Sequence, residues 1–88
     1  KDRKENPSKD SYVSRLFEKG KIKIANKFGE EAFETVSAFL GEGKKEITEE
    51  SADLLFHFMI LLEDSNISLD EVLDVLKKRK ENDWYWKL

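Results

Sequence analysis

The chain has 88 residues, 40% of them charged, with 16 basic side chains against 19 acidic ones and a formal net charge of −3. That balance disfavours general nucleic-acid binding, which needs a basic surplus, and the lack of cysteine removes both disulfides and zinc thiolates. The longest apolar run, residues 54–62, is far shorter than the ~18 residues of a membrane span and contains a histidine.

The length fits one domain. A chain this short buries only roughly 60–65% of its unfolded surface when it folds alone. Its helices must therefore pack well, or it must oligomerise. Residues 1–10, "KDRKENPSKD", are polar, show no signal peptide and read as an irregular N-terminal arm. The chain does not begin with Met, which suggests a piece of a longer protein. The absence of cysteine fits a reducing, cytoplasmic setting.

One proline and four glycines imply few turns and much helix. From Ser11, "SYVSRLFEKG" predicts a short helix with Tyr12, Leu16 and Val13 inward and Gly20 as its stop. A second helix carries Ala25, Phe28, Ala32, Val36 and Phe39 on one stripe and ends at "GEG", residues 41–43. A third runs from about Lys45 to Glu63. Ile47, Ser51, Leu54, Leu55, Phe58, Leu61 and Leu62 form its stripe, and Phe56, Met59 and Ile60 fill much of the other side. A helix apolar nearly all round is central, or is covered by a partner subunit. "DSN" breaks the chain, and "SLDE" at 68–71 is a capping box that opens a fourth helix reaching about Glu81. Phe17, Phe28, Phe33, Phe39 and Phe58 read as core. The expected fold is an all-α short bundle of about four helices at residues 11–81, with a C-terminal tail at 82–88.

The acids are patterned. Glu31 and Glu34 share a helix face, with Lys27 one turn before Glu31 and Glu30 at the edge. In the next helix Glu50 and Asp53 are also three apart, and His57 follows Asp53 by one turn. If these helices form an antiparallel hairpin about "GEG", the two pairs lie at similar heights and four carboxylates converge. Such a cluster repels itself and raises its own pKa values. A hard divalent cation, Mg2+ or Mn2+, relieves this, and magnesium characteristically binds substrate phosphates as well. The alternative for either pair is a solvated helix face.

The order Glu30-Glu31-x-x-Glu34, fifteen residues, then Glu50-x-x-Asp53 resembles the metal motif of the all-α, MazG-like nucleoside triphosphate pyrophosphohydrolases. With "SYVSRL" (11–16), "KGKIKIANKFGEEAFETV" (19–36), "EESADLLFHFMILL" (49–62) and "ISLDEVLDVLKKR" (67–79), the chain resembles one family closely, the phosphoribosyl-ATP pyrophosphohydrolases of histidine biosynthesis. The resemblance implies Mg2+-dependent cleavage of the α–β phosphoanhydride of phosphoribosyl-ATP. It implies Glu31, Glu34, Glu50 and Asp53 as metal ligands, with Glu30 orienting water or holding a second metal. It also implies a homodimer, and makes Arg3, Lys4, Ser11, Tyr12 and Arg15 candidate substrate contacts. Lys27 either meets a phosphate or pairs with Glu31. His57 supports Asp53, touches substrate, or is a satisfied core residue. "WYW" at 84–86 stacks on a base or packs on a helix. Phe56 stands where the family often has Tyr, and the tail "NDWYWKL" and the lack of an adjoining cyclohydrolase domain also depart from its pattern. Two rivals keep their place: a related enzyme cleaving dNTPs, and a non-catalytic helical dimerisation module.

Overall fold

A computed structural model describes residues 11–81. These described residues form four α-helices: α1 (Tyr12–Lys19), α2 (Lys21–Gly41), α3 (Lys44–Asp64) and α4 (Leu69–Glu81). The proposed arm at 1–10 and tail at 82–88, with Arg3, Lys4 and the "WYW" motif, lie outside the described residues.

Each boundary has a local cause. Ser11 caps α1, its Oγ accepting from the Ser14 backbone N–H at 2.9 Å. Gly20 ends α1 and starts α2 at φ +92°, in the left-handed region that only glycine enters freely. No linker is therefore needed between the two helices. Only Glu42 and Gly43 separate α2 from α3, which forces an antiparallel hairpin. At α4 the capping box forms as expected: the Ser68 N–H donates to Glu71 Oε2 at 2.8 Å, and the Glu71 N–H donates to Ser68 Oγ at 3.2 Å.

Cross-hairpin contacts fix the register. Lys21 pairs with Asp64 at 3.6 Å, Phe28 meets Phe58 with ring centroids 5.9 Å apart, and Thr35 reaches the Glu50 carbonyl at 3.1 Å. Partners descend on α3 as they ascend on α2. Leu16, Ile24 and Ile60 form the buried core, with Val13, Phe17 and Leu61 packed against it.

The core is smaller than the sequence stripes suggest. On α2 the buried residues are Ile24, Glu31 and Ala38. The expected stripe of Ala25, Phe28, Ala32, Val36 and Phe39 lies roughly a quarter turn away. Phe33 and Phe39, expected in the core, are each 71% exposed. They stand on a side of α2 that no described helix covers. Leu55, Phe56 and Met59 on α3 are exposed too, and α4 buries no residue at all.

Candidate carboxylate centre

The hairpin brings Glu31 from α2 beside Glu50 and Asp53 from α3. One carboxylate oxygen from each lies within 4.8 Å of the others. Register explains this: Glu31 precedes the short connection by about as many residues as Glu50 and Asp53 follow it. Glu31 is buried at 8% exposure, Glu50 half-buried and Asp53 open to solvent. The centre therefore has a closed floor and one open side.

Two oxygens on that floor, Glu31 Oε1 and Glu50 Oε1, are inaccessible to solvent and have no hydrogen-bond partner. A buried acceptor without a partner costs about 1–3 kcal/mol, more when charged. Burial pushes the Glu31 carboxyl above its ordinary value, and the charges of Glu34 and Asp53 push it further. Glu50 is raised first by desolvation, then by the closeness of Glu34, then by the charges of Asp53 and Glu31. Glu34 thus borders the three-residue set and acts on both Glu31 and Glu50. The donor set is all carboxylate oxygen, which suits a hard divalent cation. A cation held by this cluster would give a partner to carboxylate oxygens buried in it.

The remaining candidates take different places. Glu30 is exposed and turned to Lys27, whose Nζ lies 3.2 Å from Glu30 Oε1 and 4.0 Å from Glu31 Oε2. The bond to Glu30, and then the nearby Tyr12, raise the Lys27 pKa. His57 is 7% exposed, and both its ring nitrogens are engaged. The Asp53 carbonyl can only accept, so Nδ1 donates to it at 2.8 Å; Nε2 then accepts from the Tyr12 hydroxyl, also at 2.8 Å. Tyr12 and His57 thereby tie α1 to the turn of α3 that carries Asp53. Phe56 completes this support, stacked on Tyr12 at 6.3 Å and edge-on to His57 at 5.3 Å. Ser11 serves as the helix cap and also meets Ser14 Oγ at 3.2 Å. Arg15 is exposed and lines a cleft beside Lys27.

Sequence reasoning missed Thr35. Its hydroxyl lies 2.7 Å from the Glu31 carbonyl and 3.1 Å from the Glu50 carbonyl, sharing one proton between them. It pins together the backbones that carry two of the three acids. A threonine inside a helix often bonds back one turn, so the sequence offered half of this arrangement; the bond across the hairpin is non-local.

Fold and site define an all-α protein whose helical hairpin carries a carboxylate centre suited to a hard cation, with cationic side chains alongside. The model of the phosphoribosyl-ATP pyrophosphohydrolase family matches residues 1–80. The phosphoribosyl-ATP pyrophosphatase of Methanosarcina acetivorans is 48% identical over 82 residues, covering 91% of this chain and 79% of that protein. That of Zymomonas mobilis is 49% identical over 78 residues, covering 89% and 72%. The histidine biosynthesis bifunctional protein HisIE of Oceanobacillus iheyensis is 46% identical over 79 residues, which are 90% of this chain and 37% of that longer protein. The chain belongs to the phosphoribosyl-ATP pyrophosphohydrolase family.

Proposed function

We propose that the chain hydrolyses phosphoribosyl-ATP to phosphoribosyl-AMP and pyrophosphate, a step of histidine biosynthesis, at the carboxylate centre of α2 and α3. Family membership supports the reaction. The observation that carries the site is the pair of buried, unpartnered oxygens on Glu31 and Glu50.

Glu31, Glu50 and Asp53 hold a divalent cation, with Mg2+ favoured over Mn2+, and Glu34 completes the set from the rim. The chemistry such an ion supplies is charge neutralisation on the phosphates and a lowered pKa for bound water. The chain's own residues do the rest. Thr35 holds the Glu31 and Glu50 backbones in register, and the Tyr12–His57 pair holds that of Asp53. Lys27 stands beside Glu31, placed to meet a substrate phosphate. Glu30, on the solvent side, orients the attacking water. Residues 11–81 are the catalytic unit, and Arg3 and Lys4 are substrate contacts.

A second copy covers the apolar face. Phe33, Phe39 and Leu40 on α2, with Leu55, Phe56 and Met59 on α3, are large apolar side chains left exposed, and exposed apolar surface of this kind marks an interaction site. The working unit is a homodimer. No described helix is long and apolar enough to cross a membrane, and a biosynthetic enzyme of this kind works in the cytoplasm.

Phosphorus NMR of the products tests the bond that breaks. Cleavage between the α and β phosphorus gives pyrophosphate and a monophosphate end on the nucleotide. Appearance of orthophosphate with a diphosphate end would contradict the assignment.

A further inference from the structure

A second cluster, of opposite sign, adjoins the carboxylate centre. Arg15, Lys19, Lys23 and Lys27 line one cleft of about 280 Å³ together with Tyr12 and Leu16. The glycine joint at Gly20 makes the cleft: it swings α1 so that Arg15 and Lys19 stand beside the first turns of α2. Lys23, Lys27 and Glu31 follow one another at single turns of α2, so the cleft runs directly off the acids. Its inner cation is already committed, because Lys27 bonds Glu30 and neighbours Glu31. Further out, Lys19 and Lys23 have no ion-pair partner among the described residues, and Lys23 is half-buried. Among the described residues no carboxylate lines the cleft. Arg15 and Lys19 stand one turn apart on α1, and Lys23 and Lys27 one turn apart on α2; like charges so placed repel, and an anion lodged in the cleft they line removes that repulsion.

We propose that Lys19 and Lys23, with Arg15 beside them, form a second anion subsite that takes the phosphate of the substrate's phosphoribosyl arm. This rests on the reading that phosphoribosyl-ATP is the substrate. That molecule is anionic at two ends: the triphosphate, and the phosphate on the second ribose across the adenine. Lys23 lies two turns from Glu31, about 12 Å along the helix axis. A triphosphate held at the carboxylates meets Lys27; the remote phosphate is the group placed to reach Lys23. A plain nucleoside triphosphate has nothing to put there. The subsite therefore separates the substrate from ATP, while the carboxylate centre handles the phosphoanhydride common to both.

The test compares the full chain with Lys19→Gln/Lys23→Gln, following hydrolysis of phosphoribosyl-ATP and its inhibition by phosphoribosyl-AMP and by AMP. The double variant should raise KM at least about tenfold, the loss expected for charge-assisted contacts to a phosphate, with a smaller change in kcat. Inhibition by phosphoribosyl-AMP should weaken in parallel and inhibition by AMP should hold. Lys19→Arg/Lys23→Arg should restore most of the binding, which separates a charge effect from damage to the fold. An unchanged KM, or equal weakening of both inhibitors, would overturn the subsite while leaving the reaction in place. A wild-type chain inactive on phosphoribosyl-ATP would instead overturn the functional reading, and the subsite with it.

Discussion

Glu31→Gln separates a cation site from a structural carboxylate, because the two predict opposite responses to metal. The substitution keeps the side chain's shape and removes its charge. Without metal it loses one ion pair, the 4.0 Å contact to Lys27, worth at most ~1 kcal/mol. It gains relief from the charges of Glu34 and Asp53, which with burial hold the Glu31 carboxyl above its ordinary value. The net change in metal-free stability should stay within about 1 kcal/mol, in either direction. With Mg2+ the behaviours diverge. An ion that binds only the folded state at a hundredfold excess over Kd stabilises it by ~2.7 kcal/mol. In a domain this small that raises Tm by roughly 10–20 °C. The variant, lacking a buried ligand, should show a small fraction of that shift. Thermal unfolding in EDTA and in a Mg2+ series, at one protein concentration so that self-association stays constant, measures both. A wild type indifferent to Mg2+, or a variant much less stable in EDTA, would mean that Glu31 is structural and the reasoning is wrong.

Four further outcomes follow from the same geometry. Glu34→Gln and Asp53→Asn should each abolish turnover with the circular dichroism of a folded helical protein retained; residual activity near wild type would remove that residue from the site. Thr35→Val deletes the hydroxyl shared by the Glu31 and Glu50 carbonyls, so Tm in EDTA should fall by the equivalent of about 1 kcal/mol and Mg2+ should bind more weakly in calorimetry. In EDTA, Glu31 and Glu50 bind protons more tightly folded than unfolded. Their contribution to stability is therefore greatest in acid and is lost as pH rises through the ordinary carboxyl value of 4.5 and on to the raised one, so the wild type should gain on acidification relative to a Glu31→Gln/Glu50→Gln double variant. Phe39→Glu, on the uncovered face of α2, should shift the sedimentation coefficient from dimer towards monomer.

Much of the fold was legible because its determinants are local. "SLDE" contains both halves of its capping box, and the structure makes both bonds. Gly20 stops α1 at φ +92°, where its backbone freedom predicts, and α2 ends in the "GEG" segment as expected. The carboxylate centre was legible in part for a related reason: a two-residue connection limits the register of the hairpin, so spacing predicts that Glu31, Glu34, Glu50 and Asp53 converge, whereas the structure groups Glu31, Glu50 and Asp53 and leaves Glu34 at the border. What stayed hidden depends on which face of a helix meets its neighbour. Phe33 and Phe39 look like core residues, but α2 is apolar on two sides and one chain covers only the line through Ile24, Glu31 and Ala38. The Thr35 bridge and the Tyr12–His57 bond join residues 15 and 45 positions apart, and no local pattern announces either.

The central claim is that the buried acids of α2 and α3 serve a cation-dependent hydrolysis of phosphoribosyl-ATP. Its most direct test is the rate of pyrophosphate release from phosphoribosyl-ATP, with Mg2+ and with EDTA, beside a panel of dNTPs. The account predicts release that requires Mg2+ and is confined to phosphoribosyl-ATP. Release from dNTPs instead, or equal rates in EDTA, would contradict it.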